Sequence, residues 1–65
     1  MKLYYITEKQ NANSAREGYH AEANSLIEAK KIATKNQMFQ GTILTVEHLG
    51  QLLSVKMGKK WEDEH

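Results

Sequence analysis

Cysteine and proline are both absent from this 65-residue chain. Without cysteine there is no disulfide framework, no thiolate metal site and no thiol nucleophile, a composition that fits a reducing compartment. The absence of proline, together with the lack of any repeat, linker or low-complexity segment, reads as one compact unit spanning 1–65. Apolar runs are far shorter than the ~20 residues that span a bilayer, and no apolar block of a signal peptide opens the chain, so the expectation is a soluble, unprocessed protein. Glycine is sparse, and its four copies form neither G-x-G-x-x-G nor a Walker loop, which removes the usual phosphate cradles. Arginine occurs once, at Arg16. Base-specific readout favours arginine, so any nucleic-acid contact is expected at phosphate and without sequence preference.

Charge is nearly balanced at +1, but unevenly placed. Glu62, Asp63 and Glu64 hold three of the eight acids, so residues 1 to 61 carry nine bases against five acids, or +4. A mildly basic body permits a nucleic-acid or phosphate-rich partner without requiring one, and it excludes a mimic of DNA built on wholesale negative charge.

What the chain does contain is alternation and one clear helix. Lys2 to Lys9 is rich in aromatic and β-branched residues, with Leu3, Tyr5 and Thr7 on one face and Tyr4, Ile6 and Glu8 on the other. Turn formers fill Gln10 to Ala15, and Arg16 to Ala23 returns as a weaker second strand. Ser25 followed by Glu28 has the spacing of a capping box, which starts a helix at Leu26 and ends it before Gly41. At 100° per residue, Leu26, Ala29, Ile32 and Ala33 share one side of that helix, Ile27, Lys31, Thr34 and Lys35 the other, and Lys30 the boundary. A helix with a single apolar stripe must lie on something, and in so short a chain that is a sheet. Thr42 to Leu49 then reads as a strand, Gly50 and Gln51 as a tight turn, Leu52 to Met57 as its return, and Lys60 to Asp63 as a short last strand anchored by Trp61. The predicted fold is α+β: an antiparallel sheet of about five strands with one helix across it, in the order β-β-α-β-β-β.

Catalytic chemistry finds little to work with. His20, His48 and His65 lack ligand spacing, and the three consecutive acids at the end point in alternating directions if extended, so neither a catalytic nor a metal site is expected, nor any cofactor. So small a chain also has little volume for a closed pocket once its core is filled. The basic residues carry more information. Lys30, Lys31 and Lys35 on the helix, with Lys56, Lys59 and Lys60 on the last hairpin, form positive patches if those elements meet; otherwise they are ordinary solvated lysines. Ile27, an exposed branched apolar residue among lysines, suits an interface. Amide side chains in the loop Gln10 to Glu17 and at Asn36 and Gln37 suit recognition, and equally satisfy turns and caps. The residues by themselves describe a small binding module. A stand-alone, sequence-independent nucleic-acid-binding module is one form it could take.

Several of these segments together resemble one family. The early strand ending in E-K-Q-N-A-N-S-A-R-E-G, the helix motif E-A-x-S-L-x-x-A-K-K-I-A-x-K, then Q-x-F-x-G-T and finally G-K-K-W run in the order and spacing of the small type I-F anti-CRISPR proteins numbered ninth in their series. The resemblance covers nearly the whole chain. It implies a phage or mobile-element protein, monomeric when free and acting in the cytoplasm of the bacterial host. It further implies binding to the backbone subunits of the type I-F surveillance complex (Csy, or Cascade) where target DNA would hybridise to the guide, together with a non-specific attraction for duplex DNA. Carried over by position, the matching residues are Asn11, Asn13, Arg16, Lys30, Lys31, Lys35, Gln37, Lys56 and Lys60; the expected contacts to the backbone subunit are Asn11, Asn13, Arg16, Lys31, Lys35 and Gln37, joined by Ile27 from the helix wheel, and the expected phosphate contacts are Lys30, Lys56 and Lys60, joined by the neighbouring Lys59. Lys31 stands where the family has an arginine, which weakens any bidentate contact there. Leu49 to Lys59 is shorter and less similar than the rest.

Overall fold

A computed structural model describes residues 1–11 and 17–64. Five strands and one helix follow one another as β1 (Lys2–Lys9), β2 (Glu17–Ala23), α1 (Leu26–Lys35), β3 (Ile43–His48), β4 (Gln51–Met57) and β5 (Lys60–Asp63). The strands make one sheet in the spatial order β2-β1-β3-β4-β5, and every neighbouring pair is antiparallel. This is the predicted α+β arrangement.

α1 begins where its cap residue places it. Ser25 has extended backbone, φ −155° and ψ 167°, and its Oγ accepts from the Glu28 amide at 3.2 Å. Its apolar stripe is narrow and built around two small residues: Ala29 and Ala33 are buried, and Leu26 and Ile32 pack half-buried at their sides. Small residues on the contact line let the helix axis sit close to the sheet. Beneath it lie Tyr4 and Ile6 of β1, Leu44 and Val46 of β3 and Ala23 of β2. Each fully buried branched residue here contributes about 1.5–3 kcal/mol of transfer free energy.

The register shifts between Val46 and Glu47, leaving Leu53 without a partner on β3, and its side chain packs against the core. The opposite face of the sheet carries no second layer among the described residues. Its centre is nevertheless closed: Thr7 and Thr45 face each other across β1 and β3, both buried, and their hydroxyls are hydrogen-bonded. Gly18 on the same face has Tyr5 lying across it. A Cβ at that position would come within 2.2 Å of the Tyr5 hydroxyl, so the ring occupies space that only glycine leaves.

The β3–β4 turn differs from its predicted placement. His48 pairs with Gln51, so the two turn residues are Leu49 and Gly50, with φ +53° and +79°. Two successive positive φ values make a type I′ hairpin turn, whose twist matches the flanking strands. Leucine is poorly suited to its half of that turn. Leu49→Asn is therefore expected to stabilise the domain by ~0.5–1 kcal/mol, read as a raised urea midpoint.

Candidate functional site

The topology gathers one end of the molecule. α1 leaves β2 at Ala23, opposite Lys2, and leads to β3 at Ile43, opposite Lys9, so its C-terminus points toward the Lys9 end of the sheet. β4 ends there too, with Lys56 opposite Leu44, and the Gly58–Lys59 turn closes against Met57 and Lys60. Asn11, Lys35, Gln37, Lys59 and Lys60, scattered along the sequence, thus share one end of the fold. Asn13 and Arg16 lie outside the described residues.

The outer flank of α1 is open to solvent. Ile27 is 66% exposed, and Lys31, Thr34 and Lys35 are exposed beside it. Together with Lys30 they border a shallow groove between the helix and β5, at which Trp61 forms the far wall. Lys30 is drawn inward by β5: its ammonium pairs with the Asp63 carboxylate and lies 5.9 Å from the centre of the Trp61 ring. Asp63 also accepts from Ser54 Oγ at 2.7 Å, so this side chain ties the helix to both strands of the last hairpin. The site therefore presents two solvent-directed ammonium groups one helical turn apart, Lys31 and Lys35, next to an apolar strip.

Lys56 and Gln37, expected at the surface, are drawn into an internal network. Lys56 is only 9% exposed, between its cross-strand neighbours Leu44 and Trp61, and its Nζ donates to Gln37 Oε1 at 3.4 Å. Gln37 Nε2 donates at 2.9 Å to both the Phe39 carbonyl and Thr42 Oγ1, and the Thr42 hydroxyl donates at 2.8 Å to Glu8. Glu8 completes the network by accepting from the Met38 amide at 3.0 Å and the Phe39 amide at 3.2 Å. Lys59 and Lys60 remain exposed at the hairpin end.

Burial pushes the Glu8 carboxyl up, but the Met38 amide, the Thr42 hydroxyl and the Phe39 amide outweigh it and hold the group below its ordinary 4.5. A carboxylate with a depressed folded-state value stabilises the fold above its unfolded value, and that stabilisation disappears as pH falls through the folded one. Glu8→Gln should thus be less stable than the unaltered protein at neutral pH. Urea titrations should show the difference closing below about pH 4.

Glu8, Thr42 and Trp61 escaped the sequence reading as site components. The available signal was position: Glu8 shares the inward face of β1 with Tyr4 and Ile6, and a carboxylate facing a core must find donors. His20 and His48 take structural places, and His65 lies outside the described residues. The His48 ring lies tilted 5.3 Å from Tyr4 and donates from Nδ1 to the Leu3 carbonyl at 3.0 Å, while His20 lies 4.9 Å from Tyr5. Among the described residues no group of three or more histidine or acidic side chains is placed to hold a metal ion. No described helix is long and apolar enough to cross a membrane, which says nothing of membrane β-barrels.

No protein-family model and no curated protein matches the chain. A solved structure does: AcrIF9, at 48% identity and a TM-score of 0.84, over 97% of this chain and 86% of that one. The chain belongs to the AcrIF9 family. It is a type I-F anti-CRISPR family, as the sequence motifs implied.

Proposed function

We propose that this protein inhibits the type I-F CRISPR surveillance complex by binding its backbone subunits and sterically blocking hybridisation of target DNA to the guide RNA. The single observation that carries the reading is the 48% identity to AcrIF9 across 97% of the chain. The exposed flank of α1 agrees with it: Lys31, Lys35 and Ile27 offer two cations beside an apolar strip, a combination suited to a polar-rimmed protein interface. Asn11 and Gln37, with Asn13 and Arg16, are proposed to support this contact from the adjoining end. Inhibition works by occupancy rather than by catalysis, in the cytoplasm of the bacterial host where the complex acts. Any attraction for duplex DNA is assigned chiefly to Lys59 and Lys60, because Lys30 and Lys56 already have partners within the fold.

The deciding experiment mixes the purified protein with a type I-F complex and measures guide-directed binding of target DNA. Loss of target binding at saturating protein is expected. Unchanged target binding rejects inhibition. Retardation of duplex DNA by the protein alone, falling steeply with salt, would then point to the stand-alone nucleic-acid module.

A further inference from the structure

The sheet face turned away from α1 is not the polar surface that a one-sided antiparallel sheet usually shows to water. Strand alternation away from the residues buried under α1 puts Leu3, Tyr5, Ile43, Leu52, Val55 and Met57 on it. Leu3, Leu52 and Met57 are 52%, 38% and 64% exposed, and no described element lies over them. Charge on this face is sorted along the strands. Lys9 and Lys60 stand at one end, Lys9 opposite Ile43 and Lys60 opposite Met57. Glu22 stands at the other end, opposite Leu3, with Glu47 one row nearer the middle, opposite Tyr5 and also engaged within the fold. His20 and Glu62 lie in the middle rows, on the outer strands β2 and β5. Lys9 and Glu22 are thus about 20 Å apart, six strand residues at ~3.3 Å each.

We propose that this face binds a second copy of the same chain, the two sheets packing face to face about a two-fold axis that runs across the strands. Such an axis reverses strand direction between the layers, so the Lys9 end of each copy lies over the Glu22 end of the other, twice by symmetry. An axis along the strands sets the two basic ends together, so for aligned sheets the charge pattern is self-complementary in one orientation alone. A nucleic acid is a poor occupant, since a phosphate chain following the strands from Lys9 runs onto Glu47 and Glu22. Five strands at ~4.8 Å spacing and ~20 Å length make a face of roughly 500 Å². Two copies then bury about 1,000 Å², at the lower bound for specific association. The dimer is accordingly weak, with a Kd of about 10–100 µM, and the protein is a monomer at nanomolar concentration. Both α1 helices lie on the outside, so self-association leaves their lysine flanks open and stands independently of the inhibitory reading.

Sedimentation velocity from about 1 µM to about 1 mM, with a melting curve for each variant, tests this. The mean mass is expected to climb from that of one chain toward twice that value. Met57→Glu, at an exposed position beside Lys60, is expected to weaken association at least tenfold with an unchanged melting temperature, because it sets an acid over the partner's acidic end. Lys9→Glu and Glu22→Lys should each weaken association about tenfold, and the two together should restore it. The ~20 Å between these positions within one chain rules out an internal rescue, so restoration reports a contact between copies. The mass of one chain at every concentration overturns the proposal. Failure of the double change to restore association overturns the crossed arrangement. Should Met57→Glu leave the mass series unaltered, the face is not the dimer interface and the proposal fails; if the same variant then weakens binding to the purified type I-F complex, the face belongs to that complex instead.

Discussion

Reversing two charges on the outer flank of α1, Lys31→Glu with Lys35→Glu, is expected to abolish inhibition and leave the fold in place. Both ammonium groups are exposed and occupy consecutive turns of the same helix face. Removing them costs the interior nothing. The one structural penalty is at Lys35, which lies in the last turn where a cation suits the helix dipole, and replacing it with an acid costs roughly 0.3–1 kcal/mol. At the proposed interface the expected change is far larger, because acids replace the two cations that the inhibitory reading sets against the partner, a loss of roughly 100-fold or more in affinity. The measurement is target-DNA binding by the surveillance complex across a titration of the variant, beside its thermal melt. A variant that melts normally and still inhibits would move the interface to another face.

The second large effect is expected in the core. Ile6 is fully buried under α1 on β1, between β2 and β3. Ile6→Ala should cost ~2–5 kcal/mol, since the flanking strands are hydrogen-bonded on both sides and cannot collapse into the void. A single core in a chain this short supplies only ~3–5 kcal/mol in total. The variant should therefore be substantially unfolded at 37 °C, visible as lost far-ultraviolet dichroism and a urea transition with no native baseline. A native-like transition would mean that the sheet repacks more freely than its hydrogen-bonding allows.

The contrast between the two variants follows from which parts of the molecule local sequence can specify. β1 and β5 fall at their predicted bounds, and α1 starts at its predicted residue, because alternation, turn formers and a serine cap are all short-range signals. The β3–β4 turn is displaced by one residue because leucine at positive φ contradicts its own propensity; only the pairing of His48 with Gln51 puts it there. Side-chain commitments are less legible still. Lys30 lies on the helix boundary, where wheel geometry leaves it undecided, and its partner Asp63 is 33 residues away. Lys56 and Gln37 look like any polar surface residues until the topology brings the ends of α1, β1 and β4 together, after which the amide and the ammonium satisfy each other inside. Lys31, Lys35 and Ile27 needed no such information, since a residue opposite a buried stripe faces outward wherever the helix lies.

The sheet's uncovered side has a practical consequence. Leu3 stands on it, half exposed, with the whole β-layer between it and α1. As the chain contains no thiol, Leu3→Cys would give a unique attachment point for a fluorophore, on the other side of the sheet from the proposed contact flank of α1. Occupancy of the surveillance complex could then be followed by anisotropy with a reporter that does not compete for the bound face.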